Sequence, residues 1–341
     1  MADFNVKHIT GKQGQQGTVL AGITTVNSTG AMRFPNGPTD HRGGRGRGVF
    51  GGGKTPTNSS VLDYVEIATA GDATDFGDIF TGTYSMGSCA SATRGIFAGG
   101  FGPAIKADIS YVTISSQGGG NDFGDLRYTN YAPNTCSDST RGVFSGSYNG
   151  NGNRYTVDYI TIASAGNSSD FGTNNSEVGL TYSGAGFASP TRGIFASGKD
   201  KPAANAYNKD IRYITIQSKG TGAHFGELTF SGSYTTGCSN STRGLVMGGS
   251  TPTKRNGIEY ITIATLGNAI DFGDITTATS ALASTASSTR GLNVGGQQSP
   301  ALTNTIEYVT IASTGNATNF GDLTVARSTL AGCSDVHGGL G

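Results

Sequence analysis

Three residue patterns in this chain are of the kind that performs chemistry. Asp-Phe-Gly, or a close variant, recurs around Phe76, Phe123, Phe171, Phe225, Phe272 and Phe320. In phosphoryl-transfer enzymes that tripeptide holds magnesium, but it works with a glycine-rich loop, a strand lysine and a catalytic-loop aspartate in an α/β setting. None of these accompanies it here. The expected reading is a tight turn, with the Phe packed between elements and the Asp side chains capping turn amides. Arg47, Arg94, Arg141, Arg192, Arg243 and Arg290, each followed by glycine, could ring an anionic ligand. At repeated positions they are expected instead to pair with repeated carboxylates such as Asp78 or Asp125, which suit the bidentate guanidinium. The glycines allow close backbone approach, yet no helix follows to complete a phosphate cradle.

The remaining reactive side chains are sparse. Cys89, Cys136, Cys238 and Cys333 sit at equivalent repeat positions and read as small apolar filler. His8, His41, His224 and His337 show no ligand spacing, and no Ser/His/Asp order stands out. The expectation is therefore no catalysis, no cofactor and no required metal; calcium alone would find oxygen ligands at the six turns.

Composition narrows the partners. Lys+Arg and Asp+Glu are equal at 23 each, which argues against nucleic acid and anionic lipid. Hydrophobic residues make up 35%, low against a usual share of about 45–50%. The 56 glycines could suggest disorder, but 14 Tyr and 16 Phe recur at regular spacing, which a disordered tract would not maintain. Residues 1–12 carry no apolar signal-peptide core, and no run approaches the length of a membrane span.

The elements that position these residues follow from the repeat. Successive arginines are 47, 47, 51, 51 and 47 residues apart, and each is followed by Tyr64, Tyr111, Tyr159, Tyr213, Tyr260 or Tyr308. From that Tyr to the Phe of Phe-Gly the distance is 12 in all six copies. Within a copy the period is two, as in Ile306-Glu-Tyr-Val-Thr-Ile, with further strands read at Asp322-Leu-Thr-Val-Ala, Leu330-Ala-Gly-Cys-Ser and Arg-Gly-Ile-Phe-Ala. Four short strands per copy predict an all-β, six-bladed β-propeller over residues 41–341. An open solenoid is the alternative, though its rungs are usually shorter than about 30 residues. The first copy lacks a small-residue strand and the last has one to spare, so residues 328–335 are expected to close the first blade. Small-residue strands such as Ser88-Cys-Ala-Ser belong at the central channel, and the extra residues near Thr173–Gly179 and Lys199–Lys209 at surface loops.

The order of small strand, Arg-Gly strand with diglycine (Gly99-Gly100, Gly248-Gly249, Gly295-Gly296) and Tyr-bearing strand resembles the kelch repeat. It departs from that repeat in having no tryptophan, with Asp-Phe-Gly-Asp in its place. The wording of residues 308–324, Tyr-Val-Thr-Ile-Ala-Ser-Thr-Gly-Asn-Ala-Thr-Asn-Phe-Gly-Asp-Leu-Thr, is similar to repeats in structural proteins of marine cyanobacterial phages. That resemblance implies a non-enzymatic virion protein of the tail or neck, present in several copies and assembled in the host cytoplasm. A capsid decoration protein and a carbohydrate- or receptor-binding module are the alternatives. Residues 1–40 lack the repeat but contain two apolar strand-like runs. They are expected to form a β-rich attachment segment, with Val19, Leu20, Ile23, Val26, Met32 and Phe34 meeting other virion proteins. Packing on their own propeller is the simpler alternative. Tyr148, Tyr155, Tyr182 and Tyr207, placed in the longer loops, are the candidate contacts to a host glycan or receptor.

Overall fold

The computed structural model describes residues 46–148, 153–173, 181–200 and 206–340. Among them stand six four-stranded antiparallel sheets, with one short 3-10 turn at Gly338–Leu340. Blade II shows the plan. From inside to outside its strands are Gly87–Ala90, Arg94–Ala98, Asp108–Thr113 and Asn121–Asp125. Blades III to VI repeat this order from inner strands Asn134–Ser137, Ala185–Ala188, Thr236–Ser239 and Ala283–Ala286. Blade I takes its inner strand, Ala331–Ser334, from the far end of the sequence and pairs it with Arg47–Gly51, in register Phe50 to Gly332. Each inner strand neighbours the next around a complete circle. The chain is a six-bladed β-propeller, consistent with a kelch-like repeat, and its ring is closed as the repeat predicts.

The recurrent residues are the ones that hold blade to blade. In every blade the Arg guanidinium lies over the Tyr ring at 4.2–4.9 Å. The Tyr meets the Phe edge-on at 5.9–6.2 Å, which is why their spacing of 12 never varies. Buried by these contacts, Phe76 joins a cluster drawn from blades I and II. The glycine after each Arg has a matching role. A Cβ at Gly142 would stand 2.5 Å from Cys89 Sγ of the preceding blade, and one at Gly95, Gly193 or Gly291 would meet Cys333, Cys136 or Cys238 similarly. Thr285 and Phe187 fill the notches at Gly48 and Gly244. The four thiols are therefore interblade knobs, buried and unpaired.

Three local expectations are corrected. The arginines do not seek repeated carboxylates. Arg94 donates to Ile162 O and Ala163 O of the next blade, and Arg141, Arg192, Arg243 and Arg290 do likewise at Ile216, Ile263, Ile311 and Ile67. Arg47 reaches Ile114 O as well as Glu66, while Asp78 accepts from Ser60 instead. The Tyr ring takes the flat face of the guanidinium, leaving its edge for carbonyls exposed at a strand end. Second, Asp-Phe-Gly-Asp is not a turn but the outermost strand, as in Thr74–Asp78. Its Gly77 adopts φ +140°, and a Cβ there would lie 2.8 Å from Gly118 O, so only glycine fits. That strand ends at Asp322 in blade VI, so Asp322-Leu-Thr-Val-Ala does not form one. The Leu-Thr pair turns across the seam, and Thr324 donates to Asp63. Third, part of the extra length near Lys199–Lys209 builds a tall hairpin, Arg192–Asp200 with Ala206–Thr215, not a loop. The other insertion beyond Thr173 lies outside the described residues.

Candidate functional site

The residue two positions ahead of each inner strand is held in the left-handed region. Ser85, Ala132, Ser183, Tyr234, Ala281 and Thr329 have φ between +52° and +58°. Each donates its N–H to the carbonyl of its counterpart one blade back. The bonds run Ser85 to Thr329, Ala132 to Ser85, Ser183 to Ala132, Tyr234 to Ser183, Ala281 to Tyr234 and Thr329 to Ala281, at 2.6–3.0 Å. They form a closed belt around one mouth of the channel. None of the six is glycine, so the belt holds its residues in a conformation costing about 1 kcal/mol or more each.

This mouth is where the repeats stop agreeing. Tyr84, Tyr131 and Tyr182 occupy the position just before the belt in three successive blades, where blades V, VI and I carry Ser233, Ser280 and Ser328. Tyr131 meets Tyr84 and Tyr182 at 6.2 and 6.1 Å, and Tyr148 stacks on Tyr182 at 5.4 Å with 27° between planes. Tyr234 stands near them, its phenol acting electrostatically on that of Tyr131. Burial pushes the Tyr131 phenol up to about 12, and Tyr182 and Tyr234 are raised for the same reason, so these three stay protonated and neutral. One half of the rim is aromatic and the other is lined by hydroxyls.

Of the residues singled out from the sequence, Tyr148 and Tyr182 fall into this cluster, though neither stands in a loop. Tyr148 ends the strand Arg141–Tyr148, and Tyr182 is buried in a bridge to Lys199. Tyr207 lies in the strand Ala206–Thr215, under the Lys199 ammonium at 5.4 Å. Tyr155 falls in the strand Asn153–Thr161, its side chain outside the described residues. Val19, Leu20, Ile23, Val26, Met32 and Phe34 also lie outside them. Sequence reasoning missed Tyr84, Tyr131 and Tyr234. The signal was present, since the first two share one repeat position.

Within the mouth is a cavity of about 120 Å³, bounded by belt residues and by Ser88, Asn134, Thr135, Thr236 and Ser284. Among the described residues no Asp, Glu, Lys, Arg or His lines it. The opposite end of the channel is filled by the chain itself. Gly338, Gly339 and Leu340 are buried against the ends of inner strands, so close that a Cβ at Gly339 would overlap Ser137 O. His337 anchors this plug, its Nε2 lying 3.2 Å from Ala90 O while Nδ1 accepts from Gly339 N. That arrangement suits the neutral ring, and burial pulls its pKa down to about 4.

Among the described residues no group of three or more His, Cys, Asp or Glu is arranged to hold a metal, and no helix is long and apolar enough to cross a membrane. No protein-family model matches the chain, and no curated protein matches it.

Proposed function

We propose that this chain is a non-enzymatic structural protein of a phage virion, a propeller module of the tail or neck carried in several copies. The observation that carries the reading is how the fold uses its repeated words. Arg, Tyr, Phe-Gly and the small inner-strand residues recur in blade after blade: the Arg–Tyr–Phe stack forms within each blade, while the Arg edge, the Phe side chain and the Gly–Cys contacts reach the neighbouring one. What varies is concentrated at one mouth. A closed frame with a single differentiated face supports a module that is held by one part and presents another. The repeat wording of residues 308–324 supplies the phage context. Residues 1–40 would attach the module to the particle through Val19, Leu20, Ile23, Val26, Met32 and Phe34, with the propeller facing outward.

Imaging of intact particles with a tag inserted at residues 149–152, together with their protein inventory, tests this. The reading expects the tag at the tail or neck and loss of incorporation when residues 1–40 are deleted. Density on the capsid shell would favour the decoration alternative. Absence of the protein from particles would overturn the proposal.

A further inference from the structure

The mouth has the chemistry of a binding pocket for an uncharged polyol. Its cavity, about 120 Å³, is several times the ~10–15 Å³ that one water needs. The walls offer hydroxyls, an amide and main-chain groups, which both donate and accept as sugar hydroxyls require. One of these groups is left over. Ser183 is only 9% exposed and lines the cavity, yet its Oγ has no hydrogen-bond partner, an arrangement that costs about 1–3 kcal/mol in a buried group. Tyr234 lines the same cavity, and its flat apolar ring suits the C–H face of a pyranose while its hydroxyl suits the edge.

Tyr234 gives the sharpest pointer. It is the one aromatic residue in the belt, held at φ +54° where the other five positions carry Ser, Ala or Thr. A bulky side chain in that conformation is strained, and strain of this kind gathers at ligand sites. The lining also narrows the ligand class. Among the described residues no charged side chain lines the cavity, so a carboxylate placed inside it would lose its hydration without a counter-charge in the lining. The Lys199 ammonium stands outside that lining, over the Tyr234 ring at 5.0 Å and the Tyr207 ring at 5.4 Å, and Lys54 lies over Tyr84.

We propose that this mouth binds one neutral hexopyranose unit, as the terminal residue of a glycan, stacked on Tyr234 and hydrogen-bonded to Ser183. The site stands on its own geometry and holds wherever the protein resides. The test is calorimetric titration of the full chain with the methyl glycosides of glucose, galactose, mannose and N-acetylglucosamine, with methyl glucuronide as the acidic comparison. At least one neutral glycoside should bind saturably and the glucuronide at least tenfold more weakly. Tyr234→Asn should weaken that binding tenfold or more while leaving the melting temperature equal or higher, since Asn tolerates the left-handed backbone. Ser183→Ala should weaken it by a smaller factor with the fold intact. No saturable binding by any of the four, equal binding of the glucuronide, or unchanged binding by Tyr234→Asn would each overturn the proposal.

Discussion

Asp63 and Arg327 form an ion pair at 3.1 Å in which both side chains are fully buried. Arg327 lies just ahead of the closing strand and also donates to Phe50 O, so the pair ties the last segment of the chain to blade I. It is incompletely satisfied, because Arg327 Nε and Nη1 find no hydrogen-bond acceptor. Removing the carboxylate alone, as in Asp63→Ala, strands a buried guanidinium and removes the acceptor of Thr324. Breaking a buried pair from one side costs about 3–5 kcal/mol, and this pair should fall in that range. Replacing both partners by apolar residues, Asp63→Leu with Arg327→Met, removes the desolvation cost along with the attraction. Such exchanges are commonly neutral or stabilising by about 1–4 kcal/mol. Urea unfolding of the wild type, Asp63→Leu, Arg327→Met and the double variant, read by circular dichroism with Asp63→Ala beside them, forms the cycle. The double variant should recover most of what Asp63→Ala loses. A cost below about 1 kcal/mol for Asp63→Ala, or a double variant no better than the worse single one, would refute this account of the seam.

Other expectations concern the channel and the knobs. Gly142→Ala should destabilise by about 1–3 kcal/mol through overlap with Cys89 Sγ, and adding Cys89→Ala should return part of it, as urea midpoints will show. The Cys238 and Cys333 thiols are pushed up to about 12 by burial, and Cys89 and Cys136 are raised as well. A colourimetric thiol reagent at pH 8 should therefore find none of the four until urea is added, and rapid modification of the native protein would contradict this. For His337 the folded pKa of about 4 lies below the unfolded 6.5, so the unfolded chain binds the proton first as pH falls. Its contribution is lost progressively from about pH 6.5 to about 4, reaching about 3 kcal/mol. His337→Gln should flatten that part of the stability profile, and an unchanged slope would count against the neutral ring.

The blade count, the closing strand and the placing of small residues at the axis were legible because they depend on repetition. The distance of 12 from Tyr to Phe carried a real contact, the edge-on pair that every blade makes. The partner of each Arg was not legible, since a backbone carbonyl has no letter in the sequence and Ile162 O looks like any other. The belt was hidden for a related reason. Ser85, Ala132 and Thr329 bear no resemblance to one another, and what they share is a backbone conformation usually marked by glycine. The tyrosine cluster was half visible: Tyr148 and Tyr182 drew notice through their insertions, whereas Tyr131 and Tyr234 matter through neighbours that only the ring brings near. The plug escaped notice because His337-Gly-Gly-Leu is short and apart from the repeat pattern.

Closure of six blades by Ala331–Ser334 underlies the seams, the belt and the mouth alike. A chain ending at Arg327 removes that strand and Thr329 of the belt while keeping every other blade strand. Unfolded in urea beside the full chain, it should show no cooperative transition and should have lost most of the β-sheet circular dichroism in water. A single cooperative transition at the wild-type midpoint would contradict the closed ring.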